Sequence, residues 1–369
     1  MVDEKISQYE MDLALRLLAT LPHEGSVVLS PLSISLALAL VHEGTRGSTR
    51  EELERVLVGS DDESRIRDHF AGVMEMVSNA ENGVETNIAN SVFVNQDLSI
   101  KQSYKEAVEK YYKASAQNLD FNQAAESAKI MNSFVENATS GKIKDLIPED
   151  AVKDSLAVLV NAVYFKADWQ GKFEKDMTSV RDFHAMEGQS RTYFQIPFLN
   201  EFCEHRDYTE DQLFQVLSLK YQDRRFSFAV FLPKKRHGLI DALEKTNGEY
   251  LQNLLADLKN SYVNVHIPKF KIEKELDLKE TLEAVGIKEM FQEGSADLKG
   301  LGDKAFISSG IHKAIIEVDE DGTTAAAASA FKVGLEMMIM AEPTTFLADH
   351  PFLFALLFEN SPLFIGVHA

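Results

Sequence analysis

Cysteine is almost absent from this 369-residue chain. The one residue, Cys203, cannot form an internal disulfide, so packing alone must hold the fold, as suits a reducing compartment. Basic residues are outnumbered, 38 Lys and Arg against 58 Asp and Glu. The formal net charge of -20 excludes sequence-independent binding to nucleic acid or another polyanion, which needs cations to displace counterions. No apolar run reaches the ~18 residues of a membrane helix, and the first residues, MVDEKISQYEM, lack an apolar signal core. A cytoplasmic or nucleocytoplasmic protein is expected, without nucleic-acid or membrane partners. Internal repeats and Gly/Ser/Pro-rich linkers are missing too. Length alone suggests about two domains, but with no break in composition one domain over 1–369 is the better reading.

What is present is a succession of periodic segments. Apolar spacing predicts helices over 7–21, 48–57, 65–77, 102–115, 125–139 and 278–286, and a long apolar helix opened by Ser30-Pro31 and stopped at Gly44. Ser48 or Thr49 with Glu51 or Glu52 reads as a capping pattern. Strands are expected at 85–95, 155–169, 351–358 and 362–367, and as pairs within 214–233 and 262–276. The 155–169 run is apolar on both faces, like a buried central strand. Helices gather early and strands late without βαβ alternation, which predicts an α+β fold.

Enzyme patterns fail. There is no Gly-x-Ser-x-Gly elbow and no phosphate loop, and Arg46 stands where His42-Glu43 would need a second histidine. Glu317, Asp319 and Asp321 before Gly322 faintly suggest a calcium loop, but Ala328 occupies the place of its closing glutamate. No catalytic or metal residues are assigned. Lys234-Lys235-Arg236 is the longest basic cluster, either a solvated turn or a weak nuclear address. Asn137-Ala138-Thr139 is a glycosylation sequon, relevant only to a secreted chain.

The unusual stretch is EVDEDGTTAAAASA, 317–330. Alanine favours a helix, yet no amphipathic face exists to pack one, and two β-branched threonines follow Gly322. The other reading is a loop, exposed in one state, that becomes a strand in another and therefore carries only small side chains. As a strand it would put Thr323, Ala325, Ala327 and Ser329 on one face and Thr324, Ala326, Ala328 and Ala330 on the other.

With that segment, HKAIIEVDEDG (312–322), SPLSISLALAL (30–40), NAVYFKADW (161–169), HIPKFKIE (266–273), ADHPFLF (348–354) and SPLFIG (361–366) occur in an order that resembles the serpin family of serine protease inhibitors over nearly the whole chain. The resemblance implies three β-sheets, about eight or nine helices and an exposed reactive-centre loop near 322–347. It also implies a suicide-substrate inhibitor. A target serine protease, or a papain-like cysteine protease, would cut the loop and form an acyl-enzyme; the cut loop would then enter the central sheet as a new strand and hold the protease there. The small hinge Gly322, Thr323, Thr324, Ala325, Ala326, Ala327 and Ala328 argues for the inhibitory kind. Thr324 departs from the glutamate many members carry, but threonine suits a strand. A non-inhibitory chaperone, carrier or storage serpin is the alternative.

The reactive bond is read by two counts. An inserting arm of roughly fourteen residues after Gly322, ~45 Å of strand, ends at Glu336, with Met337 following. Counting back from Pro351 gives Met340. The hinge count is preferred, since arm length sets how far the protease travels. Leu335, Met338 and Met340 are the alternates, and bare flexible methionines the bland reading. By resemblance Ser30, Ser33, Asn161 and His312 form the shutter where the sheet parts, and Trp169 marks the breach where the loop enters. Thr139, Gly141 and Lys142 look like a structural turn. Segment 63–77 lacks a basic face, so no heparin-like cofactor is expected. The short N-terminal stretch before the first helix resembles the intracellular, ovalbumin-like branch. A monomer is expected, with loop–sheet polymers as its failure mode.

Overall fold

The computed structural model describes residues 4–21, 25–59, 63–80, 83–185, 193–323 and 342–369. Among them the helices are α1 (Glu4–Thr20), α2 (Pro31–Gly44), α3 (Gly47–Leu57), α4 (Glu63–Ser78), α5 (Gln102–Tyr112), α6 (Ala124–Ala138), α7 (Leu239–Leu243), α8 (Gly248–Ala256) and α9 (Leu278–Ala284). The first six strands are β1 (Val27–Leu29), β2 (Glu85–Asn95), β3 (Ser115–Leu119), β4 (Ala157–Asp168), β5 (Ser179–His184) and β6 (Tyr193–Glu210). Then come β7 (Phe214–Lys220), β8 (Phe226–Pro233), β9 (Lys259–Pro268), β10 (Phe270–Asp277), β11 (Ser309–Val318), β12 (Gly322–Thr323), β13 (Thr344–Leu347), β14 (Phe352–Phe358) and β15 (Ser361–His368).

Two ladders organise these strands. A six-stranded sheet runs β10-β11-β4-β2-β3, with β12 added to the end of β4. A nine-stranded path, β1-β15-β14-β8-β7-β6-β9-β13 with β5 on β6, completes the fold. Its long strand β6 serves two layers. One half pairs with β5, the other with β7, and a register shift between Glu201 and Glu204 lies in its ladder with β9. Cys203 sits in that shift with φ +58° and is exposed.

The alternation of β4 explains its apolar run. Leu159, Val163, Phe165 and Ala167 enter the main core beneath the sheet. Val158, Val160 and Ala162 face the other way and join a second core with Ala89 and Phe93 of β2, Ile311 and Ile315 of β11, and Ala128, Met131 and Val135 of α6. Helix α6 is thus strapped across the junction of β4 and β11. Its end follows the expected turn: Thr139 Oγ1 donates to Val135 O at 2.7 Å and accepts from Ile143 N at 3.1 Å, and Gly141 has φ +77°.

Beneath the sheet, α2 is buried almost all round, as its unbroken apolar run requires. Ser30 caps it, accepting from Ser33 N at 3.2 Å, with Pro31 in the first turn where its missing N–H does no harm. Helix α3 corrects an expectation. It starts at Gly47 after an N-cap at Arg46 without a side-chain cap. Ser48 and Thr49 donate instead to Glu289 Oε2, at 2.9 and 3.0 Å, and Glu52 accepts from the backbone N–H of Lys288 and Glu289. Residues that looked like a local cap hold a distant loop. The basic cluster after β8 has ion pairs from Lys234 to Glu210 and from Arg236 to Asp349.

Candidate functional site: the central seam and its upper end

Strands β4 and β11 are parallel neighbours from Val158–Ser309 to Tyr164–Ile315, with nothing between them. Five polar residues, from β2, β4, β11 and the start of α2, converge beneath this seam. Asn161 of β4 lies between His312 of β11 and Asn90 of β2. Its amide nitrogen donates to Ser33 O at 2.7 Å, to Ser33 Oγ at 2.6 Å and to Asn90 Oδ1. His312 Nε2 accepts the backbone N–H of Ser30 at 3.2 Å. That leaves the proton on Nδ1, which donates to Asn161 Oδ1. The only side-chain bond across the seam in this cluster is therefore His312 to Asn161. Asn161, His312 and Ser33 are fully buried, so each polar atom must find its partner here. Ser30, Ser33, Asn161 and His312 stand together as expected; Asn90 joins them unforeseen.

Burial pushes the His312 imidazole down to about 3, and that of His368 likewise to about 3. An unfolded histidine takes up a proton below about pH 6.5, and the folded one does not until far lower. Stability is therefore present above that value and lost as the pH falls toward 3. His312 alone should cost about 2 kcal/mol between pH 7 and pH 5. Urea unfolding should show a clearly lower midpoint at pH 5; equal midpoints would refute the neutral-histidine network.

The upper end of the seam is built differently. Beyond Tyr164 and Ile315 the β11–β4 pairing stops. The chain turns at 319–321 and comes back as β12, which pairs antiparallel with β4 at Gly322–Asp168 and Thr323–Ala167. Asp319 shapes the turn, its Oδ1 accepting from Asp321 N at 2.9 Å and Gly322 N at 3.1 Å. A Cβ on Gly322 would sit 2.0 Å from Ala167 O, so only glycine permits the approach. Thr323 is fully buried and shares a 2.8 Å hydrogen bond with the Tyr221 hydroxyl. Trp169 stacks on Tyr221, with ring centroids 4.5 Å apart, and its Nε1 donates to Asp319 O at 2.9 Å.

Lysines hold the turn from outside. Lys269 bonds Glu320 at 2.6 Å, and Thr178 donates to the same carboxylate at 2.9 Å. Lys175 pairs with Asp321 at 2.8 Å and Lys172 with it at 3.6 Å. Burial pushes Glu320 up, but the bonds from Lys269 and Thr178 leave it below its usual range. The Lys175 bond lowers Asp321, whereas burial raises Asp319. Of the carboxylates that faintly suggested calcium, Asp319 is thus turned to backbone N–H groups and Asp321 to lysines.

Gly322, Thr323 and Trp169 therefore lie together at this end of the seam. Thr324, Ala325, Ala326, Ala327 and Ala328 of the hinge lie outside the described residues. So do Leu335, Glu336, Met337, Met338 and Met340 around the reading of the reactive bond. Tyr221, Lys269, Glu320, Lys172, Lys175 and Thr178 were not anticipated. Lys269 and Glu320 alone left a signal, sitting inside HIPKFKIE and HKAIIEVDEDG.

This α+β arrangement, with parallel β4 and β11 side by side and β12 added at the top of their seam, is the serpin fold. A family profile described as Serpin (serine protease inhibitor) matches residues 8–369. The chain is 35% identical over 347 residues to Serine protease inhibitor 42Dd of Drosophila melanogaster, covering 92% of this chain and 90% of that protein. The native-state crystal structure of a thermophilic serpin, Tengpin, matches with TM-score 0.89 at 26% identity, covering 100% of this chain and 95% of that one. Human thyroxine-binding globulin complexed with thyroxine matches with TM-score 0.86 at 26% identity, covering 98% and 97%. The chain belongs to the serpin family.

Proposed function

We propose that this serpin is a suicide-substrate inhibitor that traps a serine protease by inserting its cut loop between β4 and β11. One observation carries the reading: Gly322 and Thr323 already occupy strand positions at the top of β4. Carrying that register downward sets Ala325 opposite Phe165, Ala327 opposite Val163 and Ser329 opposite Asn161. The small residues Ala325 and Ala327 would slide past apolar partners. The hydroxyl of Ser329 would arrive where the Asn161–His312 bond must break, offering the separated pair a new polar partner. A sequence of small apolar residues with one hydroxyl at that place suits insertion closely.

In this reading the chain is one serpin domain with a reactive loop at 322–347 and the reactive bond at Glu336–Met337, with Leu335, Met338 and Met340 as alternates. Glutamate before the cut would favour a protease with a basic specificity pocket; Leu335 would suit a papain-like cysteine protease. Ser30, Ser33, Asn161 and His312 act as the shutter and Trp169 as part of the breach. The protein works as a monomer in a reducing, cytoplasmic setting, without heparin or metal, and forms loop–sheet polymers when the seam opens without a cut.

A panel of serine and cysteine proteases tests this. At least one serine protease should give a complex that survives SDS, with a C-terminal fragment beginning at Met337. Cleavage by every protease without trapping would favour the second reading, a non-inhibitory carrier, to which the likeness to thyroxine-binding globulin lends support.

A further inference from the structure

A cavity of about 700 Å³ opens at the other pole, between the end of α2, the start of α5 and the turn at 299–300. Its lining includes Glu43, Arg46, Arg67, Lys101, Tyr104 and Lys299. Four of these six are cations, in a protein of net charge -20. The floor is fixed. Gly300 N donates to Gly44 O at 2.8 Å, Lys101 N to Leu301 O at 2.9 Å, and Tyr104 OH to Leu40 O at 2.8 Å.

The cations are unequally neutralised. Arg67 grips Glu43 with two bonds, and the Glu43 side chain is only 7% exposed, so this pair forms a wall. Arg46 donates to the backbone carbonyls of Thr45 and Glu43, and no ion pair to a carboxylate is found for it among the described residues. Lys101 gives its Nζ to Lys299 O at 2.6 Å and meets Asp303 only at 3.7 Å, that carboxylate being 89% exposed. Lys299 pairs with Asp297 at 3.2 Å while 71% exposed itself. Ser103, also on the lining, is the second residue of α5, whose N-cap Lys101 makes no side-chain cap bond. Of the three carboxylates paired with these four cations, only Glu43 belongs to the lining, and Asp303 is highly exposed.

We propose that this cavity binds the phosphate or sulfate ester of a small molecule. The anionic group would lie between Arg46 and Lys101, near Ser103, where charge-assisted bonds to guanidinium and ammonium are strongest. The body of the ligand would fill the space toward Tyr104 and Lys299, a volume within the ordinary range for small-molecule sites. A long polyanion is disfavoured by the charge of the rest of the chain, so the ligand is a compact ester.

Isothermal titration of the full chain at low ionic strength, with a hexose 6-phosphate as probe, tests the site. One saturable event is expected. Arg46→Gln with Lys101→Gln should weaken it at least about tenfold, since each charge-assisted bond is strong. Lys234→Gln with Lys235→Gln should leave it unchanged. Asp303→Lys, at a side chain 89% exposed, should tighten it severalfold. Inorganic phosphate and sulfate, lacking a body to fill the cavity, should bind about tenfold more weakly. No saturation by about 10 mM probe, an unchanged affinity in the Arg46/Lys101 variant, or equal binding of the bare anions would each overturn the assignment.

Discussion

On the proposed insertion mechanism, Thr323→Arg should turn this serpin from an inhibitor into a substrate. Thr323 is fully buried, bonded to Tyr221 and opposite Ala167. A guanidinium cannot enter that slot without losing water, at a cost of several kcal/mol if unpaired. About 4 kcal/mol on the insertion barrier means roughly a thousandfold slower entry. Deacylation would then win, releasing active protease and a nicked serpin. The SDS-stable complex should vanish while cleavage continues, and Thr323→Ser should retain trapping. Because Thr323 is already buried and bonded in the uncut fold, Thr323→Arg should also melt below the parent, and Thr323→Ser close to it, so trapping is scored on the folded fraction. Full trapping by Thr323→Arg would sink the insertion mechanism.

Cutting the loop within 332–341 should raise the melting temperature by about 20 °C or more. A full-length inserted strand forms about 24 new backbone hydrogen bonds, each worth ~0.5–1.5 kcal/mol net, or ~10–35 kcal/mol before strain and ordering are deducted. In a chain of this size that spans tens of degrees. It also exceeds the ~5–15 kcal/mol that keeps a typical protease folded, so a pulled protease can be deformed. Calorimetry of the nicked chain decides. An unchanged melt would leave a passive serpin, whose loop is merely a loop.

Much of this was legible from local pattern. The doubly buried strand β4 and the Ser30-capped helix α2 each announce themselves within a few residues. That Ser30, Ser33, Asn161 and His312 meet was readable only through family order, because their meeting depends on registers set by the assembled sheet. Asn90 shows why: it is one polar residue in a strand, and only its pairing opposite Asn161 gives it a role. Tyr221 and Thr323 are 102 residues apart, and no periodicity could connect them. Short α7 and α8, and strands β5 and β6, went unread. The helices are too brief for a firm period, and β6 changes layer midway, so its alternation breaks. The false cap at α3 had the opposite cause: a correct local pattern was claimed by Glu289.

The strap made by α6 has a further consequence. Its residues Met131 and Val135 share one apolar cluster with Val158 and Val160 on one side of the seam and Ile311 and Ile315 on the other. A new strand widens a sheet by about 4.8 Å, so α6 must let go of one bank before the gap can fill, then settle on the broadened surface. That makes the passage a turnstile. On the proposed mechanism, going back would require lifting the helix again while surrendering every new pairing, so a protease held this way would stay held for as long as its ester bond survives.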